Sequence, residues 1–364
     1  MTTLLSQCTP PSPKNGISES GFGKVGDQSV TLYTLTNSGG AHISISDFGG
    51  IVQSIFVPDR DGNLKDIALG FDSIEGYQAH DKFFGALIGR YGNRIAHGTF
   101  TLDSVSYQLA KNNDSIHHLH GGNIGFNDKM WKAEAIPGDS VQQLRLRYTS
   151  PDLEEGYPGT LNVTVTYSWN DSNELGIDYE AETDKATLCN LTNHLYFNLS
   201  GNLSQNVLNH QMKIFADTYT PVDSTLIPTG ELAPVAGTAF DFTSPKPIGQ
   251  DISGFGKLYG GGYDHNFVIQ ETPGSMVPVA TVYEPETGRV LEAFSTEPGV
   301  QFYTANHLDP TYEGKGTVFP KFGGFCLETQ HFPDSPNHPE FPSTRLNPGE
   351  KYQTQTVYRF SVRP

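Results

Sequence analysis

The sequence predicts an all-β protein whose antiparallel strands pack as a sandwich or a barrel. Several segments alternate polar and apolar residues with a period of two, as strands with one buried face do. Glycine (39 residues) and proline (24) punctuate these segments, and charged residues make up 17% of the chain, below the roughly 25% of an average soluble domain. Because no convincing amphipathic helices separate the strands, a parallel sheet with crossover helices is disfavoured.

The chain divides into a short arm and one long β region. Residues 1–22 are rich in Pro, Ser and Gly and are expected to form a flexible N-terminal arm. Residues 23–364 contain no linker and no obvious internal repeat, which predicts one continuous domain. The clearest alternating segments are VTLYTLTN (30–37), AHISISDF (41–48), IVQSIFVP (51–58), QLRLRYTS (143–150), TLNVTVTYSW (160–169) and LGIDYEAET (175–183). GTFTLDSVSYQL predicts a hairpin with Asp103 and Ser104 as its loop, and the best helical candidates are single turns near 72–80.

The composition excludes several classes of function. Lysine and arginine number 23 against 40 aspartates and glutamates, so the formal charge is −17, the wrong sign for binding nucleic acid or an anionic membrane. No apolar run approaches the roughly 20 residues that span a bilayer. The N-terminus lacks the charged and apolar regions of a secretory signal. We therefore expect a cytoplasmic protein with a small ligand, an extracytoplasmic location staying open if the chain is a processed form. A monomer or weak homodimer is expected, although no feature of the sequence indicates the oligomeric state.

Cofactor motifs are absent or out of context. GFGKVG (21–26) matches GxGxxG, but no strand precedes it and no helix follows, so turn glycines are favoured over a dinucleotide site. The three cysteines, Cys8, Cys189 and Cys326, are an odd number without a CxxC pair, so neither a disulfide framework nor a zinc knuckle is indicated. Cys189 and Cys326 lie in strand-like runs and are expected to be buried small hydrophobic residues.

The segment CNLTNHLYFNLSG (189–201) resembles a buried strand with one polar face. Alternation places His194, Tyr196 and Asn198 on one side and the intervening Leu, Phe and Leu on the other. One side is therefore predicted to be core and the other a functional polar surface.

A carboxylate occupies a second apolar run, FCLETQ, where Glu328 faces opposite to Phe325 and Leu327. Such a group belongs either to a satisfied structural ion pair or to a site that tunes its pKa. Taken alone the residue leaves both open; beside His194, the functional interpretation is favoured.

Loop residues supply further candidates. In GRYGNRIAHG (89–98), Asn93 and Arg94 could donate hydrogen bonds to hydroxyl groups, whereas Arg90 is as readily a solvated turn residue. In HHLHGG, His120 precedes two glycines and is well placed to contact a ligand, while metal binding is disfavoured because no further ligand has suitable spacing. His117 and His118 are expected at the surface.

Two more segments offer groups that recognise sugars. Asp264 follows three glycines in GGGYDHNF, although alone it would more often be a turn residue. In GVQFYTAN, Gln301 and Tyr303 share one face, opposite Val300 and Phe302. Carboxylate and amide groups beside an aromatic ring are the usual means of holding a sugar.

Six motifs, in order over nearly the whole chain from about residue 23, resemble the galactose mutarotase (aldose 1-epimerase) family. They are GRYGNRIAHGTF, HLHGG, TNHLYFNLSG, GGYDHNF, PGVQFYTANHL and CLETQHFPDSPNHPEFPSTRLNPGEKY. One of these motifs alone is unspecific, but six in family order are highly specific. The resemblance implies a large single-domain antiparallel β-sandwich, the galactose mutarotase-like supersandwich.

The resemblance also implies roles for residues at the matching positions. His194 would be the general acid and Glu328 the general base. The implied sugar-binding set is Asn93, Arg94, His120, Asp264 and Gln301. It assigns no role to the N-terminal twenty or so residues or to the two other histidines of HHLHGG.

The implied enzyme is an isomerase that interconverts the α and β anomers of free hexoses such as galactose and glucose. Glu328 would remove the C1 hydroxyl proton while His194 protonates the ring oxygen, so that the ring opens and can close as the other anomer. Because no redox change or group transfer occurs, neither a metal nor an organic cofactor is expected. The partner is a small-molecule free aldohexose.

Three alternatives compete with this hypothesis. A glycosidase could use Asp264 and Glu328 as its carboxylate pair, but it leaves His194 without a necessary role. A non-catalytic sugar-binding protein would be expected to lose His194 or Glu328. A sugar-phosphate epimerase would require a stronger cationic cluster than Arg90 and Arg94. The sequence does not distinguish galactose from glucose as the preferred substrate.

Overall fold

The computed structural model describes residues 15–80, 83–270 and 273–364. Within these ranges the chain forms 29 β-strands and one α-helix, and every ladder between two strands is antiparallel. The described residues contain no helix long and apolar enough to cross a bilayer. The predicted all-β antiparallel class is confirmed.

The N-terminal half contributes one complete sheet, a hairpin and four strands of a larger sheet. Its elements are β1 (Gly16–Val25), β2 (Gln28–Thr36), β3 (His42–Ser46), β4 (Val52–Pro58), β5 (Leu64–Asp66), α1 (Ile74–Ala79), β6 (Leu87–Ile88), β7 (Arg94–Ile95), β8 (Thr99–Leu102), β9 (Val105–Gln108), β10 (His118–Leu119), β11 (Lys132–Ile136), β12 (Val141–Ser150), β13 (Leu161–Asn170) and β14 (Glu174–Thr183). Strands β1 to β5 form a five-stranded sheet in chain order. The hairpin β8–β9 turns at Asp103 (φ 48°) and Ser104 (φ 65°), as predicted.

The C-terminal half completes the sandwich. Its strands are β15 (Thr187–Leu188), β16 (Thr192–Asn193), β17 (Gln211–Ile214), β18 (Thr218–Tyr219), β19 (Ala233–Pro234), β20 (Lys246–Pro247), β21 (Asp264–Val268), β22 (Val277–Tyr283), β23 (Arg289–Ser295), β24 (Gly299–Tyr303), β25 (Glu313–Gly314), β26 (Thr317–Val318), β27 (Cys326–Gln330), β28 (Arg345–Leu346) and β29 (Tyr352–Val362). Short 3₁₀ turns lie between strands in both halves of the chain, at Ala96–Gly98, Phe126–Asp128, Glu154–Gly156, Ile252–Phe255, Leu258–Gly261 and Ser335–Asn337.

A nine-stranded sheet forms the largest layer, in the order β11-β12-β13-β14-β29-β23-β22-β17-β20. A second five-stranded sheet has the order β19-β18-β21-β24-β27. The largest core cluster takes side chains from all three large sheets, for example Ile43, Val165 and Phe302. Packing between the layers therefore buries one face of each sheet, as expected of a sandwich.

The arm predicted for residues 1–22 is wrong in its last part. Strand β1 starts at Gly16 and pairs with β2 along its length, while residues 1–14 lie outside the described residues. Gly21 and Gly23 of GFGKVG flank a β-bulge inside this strand, so they are not turn residues. The strand escapes pattern recognition because it is rich in Gly and Ser and most of its side chains are exposed.

The two cysteines within the described residues follow the prediction. Cys189 and Cys326 are free thiols and both are buried. Cys8 lies outside the described residues.

Candidate active site

Three neighbouring strands, β21, β24 and β27, carry the centre of the site. Asn266 pairs with Gln301, and Gln301 pairs with Glu328, so the three residues form a row across the sheet. Because side chains alternate along a strand, Asp264 and Tyr303 share this polar face. The opposite face contributes core side chains, namely Phe267, Val300, Phe302 and Leu327. The orientations predicted for Gln301, Tyr303 and Glu328 are confirmed.

A cavity of about 1090 Å³ opens onto this polar face. Its walls include six of the seven predicted site residues, namely Asn93, Arg94, His120, His194, Asp264 and Glu328. The seventh, Gln301, lies behind them and donates a 2.6 Å hydrogen bond from Nε2 to Asp264 Oδ1. Gln301 therefore orients a wall residue instead of forming the wall itself.

His194 and Glu328 form a buried pair at the cavity. His194 Nε2 lies 3.6 Å from Glu328 Oε1, and the two residues are only 5% and 2% exposed. The other ring nitrogen, Nδ1, lies 3.6 Å from the thiol of Cys326. Glu328 Oε2 has no hydrogen-bond partner in the described part of the chain. One carboxylate oxygen thus faces the imidazole and the other is uncommitted.

Burial drives both members of the pair toward their neutral forms. It lowers the pKa of His194 to about 4, with smaller opposing effects from a hydrogen bond to the residue's own backbone and from Asp264. It raises the pKa of Glu328 well above its usual value; Asp264 adds to this rise and Arg94 opposes it. A neutral imidazole with a carboxylic acid carries as many protons as an imidazolium with a carboxylate. One proton passed through a bound molecule therefore converts one form of the pair into the other.

The second side of the cavity presents hydrogen-bonding groups. Arg94 Nη2 lies 3.9 Å from Asp264 Oδ2, and Arg94 Nε donates to Asn113 Oδ1 at 3.0 Å. Asn93 Oδ1 accepts from the backbone N–H of Arg94 at 2.9 Å. A guanidinium held at its Nε keeps donors free at its far end, so Arg94 and Asp264 together can contact adjacent hydroxyl groups.

The loop carrying His120 brings its imidazole to the same wall. The backbone N–H of Asn93 donates to His120 Nδ1 at 3.1 Å, so Nδ1 is unprotonated and Nε2 carries the hydrogen of the neutral ring. Burial lowers the pKa of His120 well below its usual value, which favours this neutral form. Gly121 has φ 87°, and a Cβ at that position would overlap the carbonyl oxygen of Gly89. The loop therefore requires glycine immediately after the histidine.

The two preceding histidines are not surface residues, and that prediction is wrong. His117 and His118 are 3% and 0% exposed. His118 Nδ1 bonds the carbonyl of Ala110 at 2.8 Å and its Nε2 bonds the hydroxyl of Tyr157 at 2.6 Å. His117 Nε2 lies 3.0 Å from the Thr225 hydroxyl. These contacts anchor the loop that presents His120.

Arg90 is neither solvated nor part of the cavity wall, so the solvated-turn alternative is wrong. Its side chain is buried, with Nε donating to the Ser150 hydroxyl at 2.8 Å. Its Nη2 donates to the carbonyls of Ser150 and Pro151 at 2.9 and 2.7 Å. The residue stabilises the loop after β12.

The segment 189–201 is less regular than predicted. Within it only β16 pairs as a strand, and Phe197 makes isolated bridges. His194 and Tyr196 reach the cavity, whereas Asn198 donates to the carbonyls of Gln205 and Gly323, each at 2.9 Å. Asn198 therefore has a structural role, and the predicted functional face is confined to the first part of the segment.

Sequence reasoning missed Phe83. Its ring lies in the cavity wall, with its centroid 4.7 Å from that of His120 and 5.9 Å from that of His194. It follows a polar stretch without strand alternation, so no pattern pointed to it. An aromatic ring at this place offers an apolar surface to a bound sugar.

Three potential ligand atoms, one each from His120, His194 and Glu328, lie within 4.8 Å of one another. Imidazole and carboxylate groups at such distances could also accommodate a divalent cation. The expectation that the protein needs no metal stays a prediction. The same convergence suits an acid and a base that act on one bound molecule.

An antiparallel sandwich with an imidazole–carboxylate pair at a polar cavity fits the class of sugar-converting isomerases. The family model for aldose 1-epimerase matches residues 31–359 of the chain. The protein therefore belongs to the aldose 1-epimerase family, whose members are isomerases. The resemblance identified in the sequence is confirmed, and so is the predicted enzyme class.

Individual relatives agree over most of their length. The chain is 48% identical over 321 residues to the galactose mutarotase of Homo sapiens, covering 88% of this chain and 91% of that protein. It is 38% identical over 336 residues to the aldose 1-epimerase of Escherichia coli strain K12, covering 92% and 96%. The crystal structure of an aldose epimerase homologue from C. elegans matches with a TM-score of 0.83 at 29% identity, covering 92% and 99%. The predicted sandwich fold of this family is confirmed.

Proposed function

We propose that this protein interconverts the α and β anomers of free aldohexoses, galactose and glucose among them, by acid–base ring opening and reclosure. The observation that carries the proposal is the pair of facing atoms, His194 Nε2 and Glu328 Oε1, 3.6 Å apart at a cavity. The family to which the chain belongs supports the same reaction.

In this mechanism both groups act at one hemiacetal carbon. The ring oxygen and the anomeric hydroxyl are both bonded to C1, so an acid and a base close together can serve both. Glu328 as carboxylate accepts the hydroxyl proton while His194 as imidazolium donates from Nε2 to the ring oxygen, and the C1–ring oxygen bond breaks. Rotation about C1–C2 followed by the reverse transfers closes the other anomer. Positioned acid and base groups each contribute about 10²- to 10⁴-fold.

The remaining residues bind and orient the sugar. Arg94, Asp264 and His120 contact its hydroxyl groups, Asn93 holds the backbone of Arg94 and the ring of His120 in place, and Gln301 orients Asp264 through its amide. The guanidinium donates hydrogen bonds to one hydroxyl group, and the carboxylate beside it accepts a hydrogen bond from a neighbouring hydroxyl. We further expect the protein to act in the cytoplasm as a monomer or weak homodimer, without nucleic acid or membrane partners.

Polarimetry of freshly dissolved α-D-galactose and α-D-glucose tests the proposal. The wild-type protein is expected to accelerate relaxation to the equilibrium rotation, and Glu328→Gln is expected to bind sugar while leaving only the spontaneous rate. Release of nitrophenol from a nitrophenyl galactoside is expected to be absent. Spontaneous relaxation with wild type, or nitrophenol release, would overturn the proposal and favour a binding protein or a glycosidase respectively.

A further inference from the structure

Six buried polar atoms around the base lack a hydrogen-bond partner among the described residues. They are Glu328 Oε2, Gln301 Oε1, and the amide oxygen and nitrogen of both Asn266 and Gln330. Asn266 and Gln330 are 1% and 0% exposed. Burying an amide without partners costs stability, so two such amides on the face that carries the base require an explanation, either an ordered water or a role in the site.

Strand register places these groups on one face of the sheet. Asn266, Gln301 and Glu328 form one row of β21, β24 and β27, and Gly299 and Gln330 lie in the next row on the same face. A Cβ on Gly299 would overlap Asn266 Oδ1, so the Asn266 amide occupies the space above this glycine. Gly299 pairs directly with Gln330, which leaves the two amides about one strand spacing apart, roughly 4.8 Å.

The donors available to the base can be counted from the same contacts. Gln301 Nε2 already donates one of its two hydrogens to Asp264 Oδ1 at 2.6 Å. The donor atoms of this cluster that have no partner at all among the described residues are Asn266 Nδ2 and Gln330 Nε2. The acceptor most in need of a donor is Glu328 Oε2, because a buried carboxylate stays ionised only when hydrogen bonds or cations offset its burial.

We propose that Asn266 and Gln330 are positioning residues for the general base. They donate hydrogen bonds to an ordered water that in turn donates to Glu328 Oε2, and so hold the carboxylate ionised with Oε1 aimed at the sugar. A water suits the site because it would find two amide donors and several acceptors within one polar pocket. The inference rests on the proposed function and extends it to two residues outside the sugar-binding set.

The test uses substitutions that keep side-chain shape and remove donors. Asn266→Leu and Gln330→Met replace each amide by an apolar group of similar size, and Asn266→Asp keeps the shape but not the donor. Each is expected to lower kcat for galactose at least 10-fold with KM changed less than about 3-fold. The two apolar variants are expected to fold with a melting temperature near that of wild type, because the hydrogen bond that each loses is offset by the amide that it no longer buries. Thr344→Val is the control, since it also replaces a buried polar side chain by an apolar one of similar size, outside β21, β24 and β27; its kcat should be unchanged.

Three results would overturn the inference. Values of kcat within 2-fold of wild type in both amide positions would show that the base does not need them. A rise in KM that accounts for the loss of kcat/KM would make them sugar-binding residues. Apolar variants that no longer fold would make them structural. Failure of the proposed function is distinguishable, because then the wild-type protein itself would not accelerate relaxation of either sugar.

Discussion

His194 and Glu328 stand 3.6 Å apart at the cavity, whereas a second buried pair, His331 and Glu297, is joined by a 2.7 Å hydrogen bond. His331 lies only three residues after Glu328 in the chain. The two pairs are buried to similar degrees, with exposures of 5% and 2% against 7% and 1%. Burial alone therefore does not distinguish a catalytic pair from a structural one.

The distinction lies in the remaining partners. Both oxygens of Glu297 are engaged, Oε2 by His331 Nδ1 and Oε1 by the Tyr352 hydroxyl at 3.0 Å. In the first pair, Glu328 Oε2 has no partner within the described chain, and Nδ1 of the imidazole lies 3.6 Å from a thiol. A fully satisfied pair stabilises the fold, whereas an unsatisfied one is held ready for a ligand.

The largest expected effect separates the two glutamates. Glu328→Gln should lower kcat by about 10²- to 10⁴-fold or more, because the base is lost, with thermal stability equal or higher. Glu297→Gln should leave kcat within about 3-fold but lower the free energy of unfolding by about 1–3 kcal/mol, because a buried hydrogen-bonded pair is disrupted. Polarimetry and urea unfolding of both variants check this. A Glu297→Gln variant that folds normally but loses turnover would contradict the structural role given to Glu297.

The two histidines provide the next contrast. His194→Ala should lower kcat by about 10²-fold or more through loss of the general acid. His331→Ala should instead reduce stability by about 3–5 kcal/mol, since it leaves Glu297 buried without its partner. Turnover per folded molecule, with the folded fraction taken from circular dichroism, is the quantity to measure. Near-normal turnover in His194→Ala would remove that residue from the mechanism.

The catalytic pair should also set the pH profile. Burial lowers the pKa of His194 to about 4 and raises that of Glu328, so the pair keeps one proton between about pH 4 and the higher pKa. Activity corrected for the spontaneous reaction should therefore persist well below pH 6.5, the usual histidine value, and fall near pH 4. An acid limb centred near pH 6.5 would contradict this assignment.

The same shift affects stability with a defined sign. An unfolded His194 binds a proton near pH 6.5, whereas the folded one binds it only near pH 4. The unfolded state thus holds more protons in this window, and stability falls as pH decreases through it. His194→Gln should show a shallower decline than wild type in urea unfolding between pH 6.5 and 4.

The alternation of polar and apolar residues within single strands predicted which face each strand residue of the site occupies. The faces of Gln301, Tyr303 and Glu328 follow from neighbours two residues away, and the structure agrees. The burial of Arg90 and His118 could not be predicted, because their hydrogen-bond partners come from remote segments: Ser150 accepts from Arg90, and the Tyr157 hydroxyl donates to His118.

Contacts between strands could not be predicted from the sequence either. The amide cluster exists only because three strands align Asn266, Glu328 and Gln330 on one face, and a single sequence contains no register. His331 likewise bonds to Glu297, which lies 34 positions earlier in the chain. The sequence alone left Glu328 open between a structural and a catalytic role, and a count of its hydrogen-bond partners favours the catalytic one.

The smallest expected effect concerns the group that contacts Nδ1 of each histidine. His331 Nδ1 meets a carboxylate at 2.7 Å, whereas His194 Nδ1 meets the Cys326 thiol at 3.6 Å. Burial raises the pKa of this thiol well above its usual value, so it stays uncharged and is a weak partner. A stronger acceptor would raise the pKa of the imidazolium and make it a poorer acid.

Cys326→Ser should therefore move the acid limb of the activity profile to higher pH and change kcat less than about 10-fold, while Cys326→Ala moves it little. If serine and alanine shift the limb equally, the partner at Nδ1 does not tune the acid, and the contrast between the two pairs rests on the carboxylate alone.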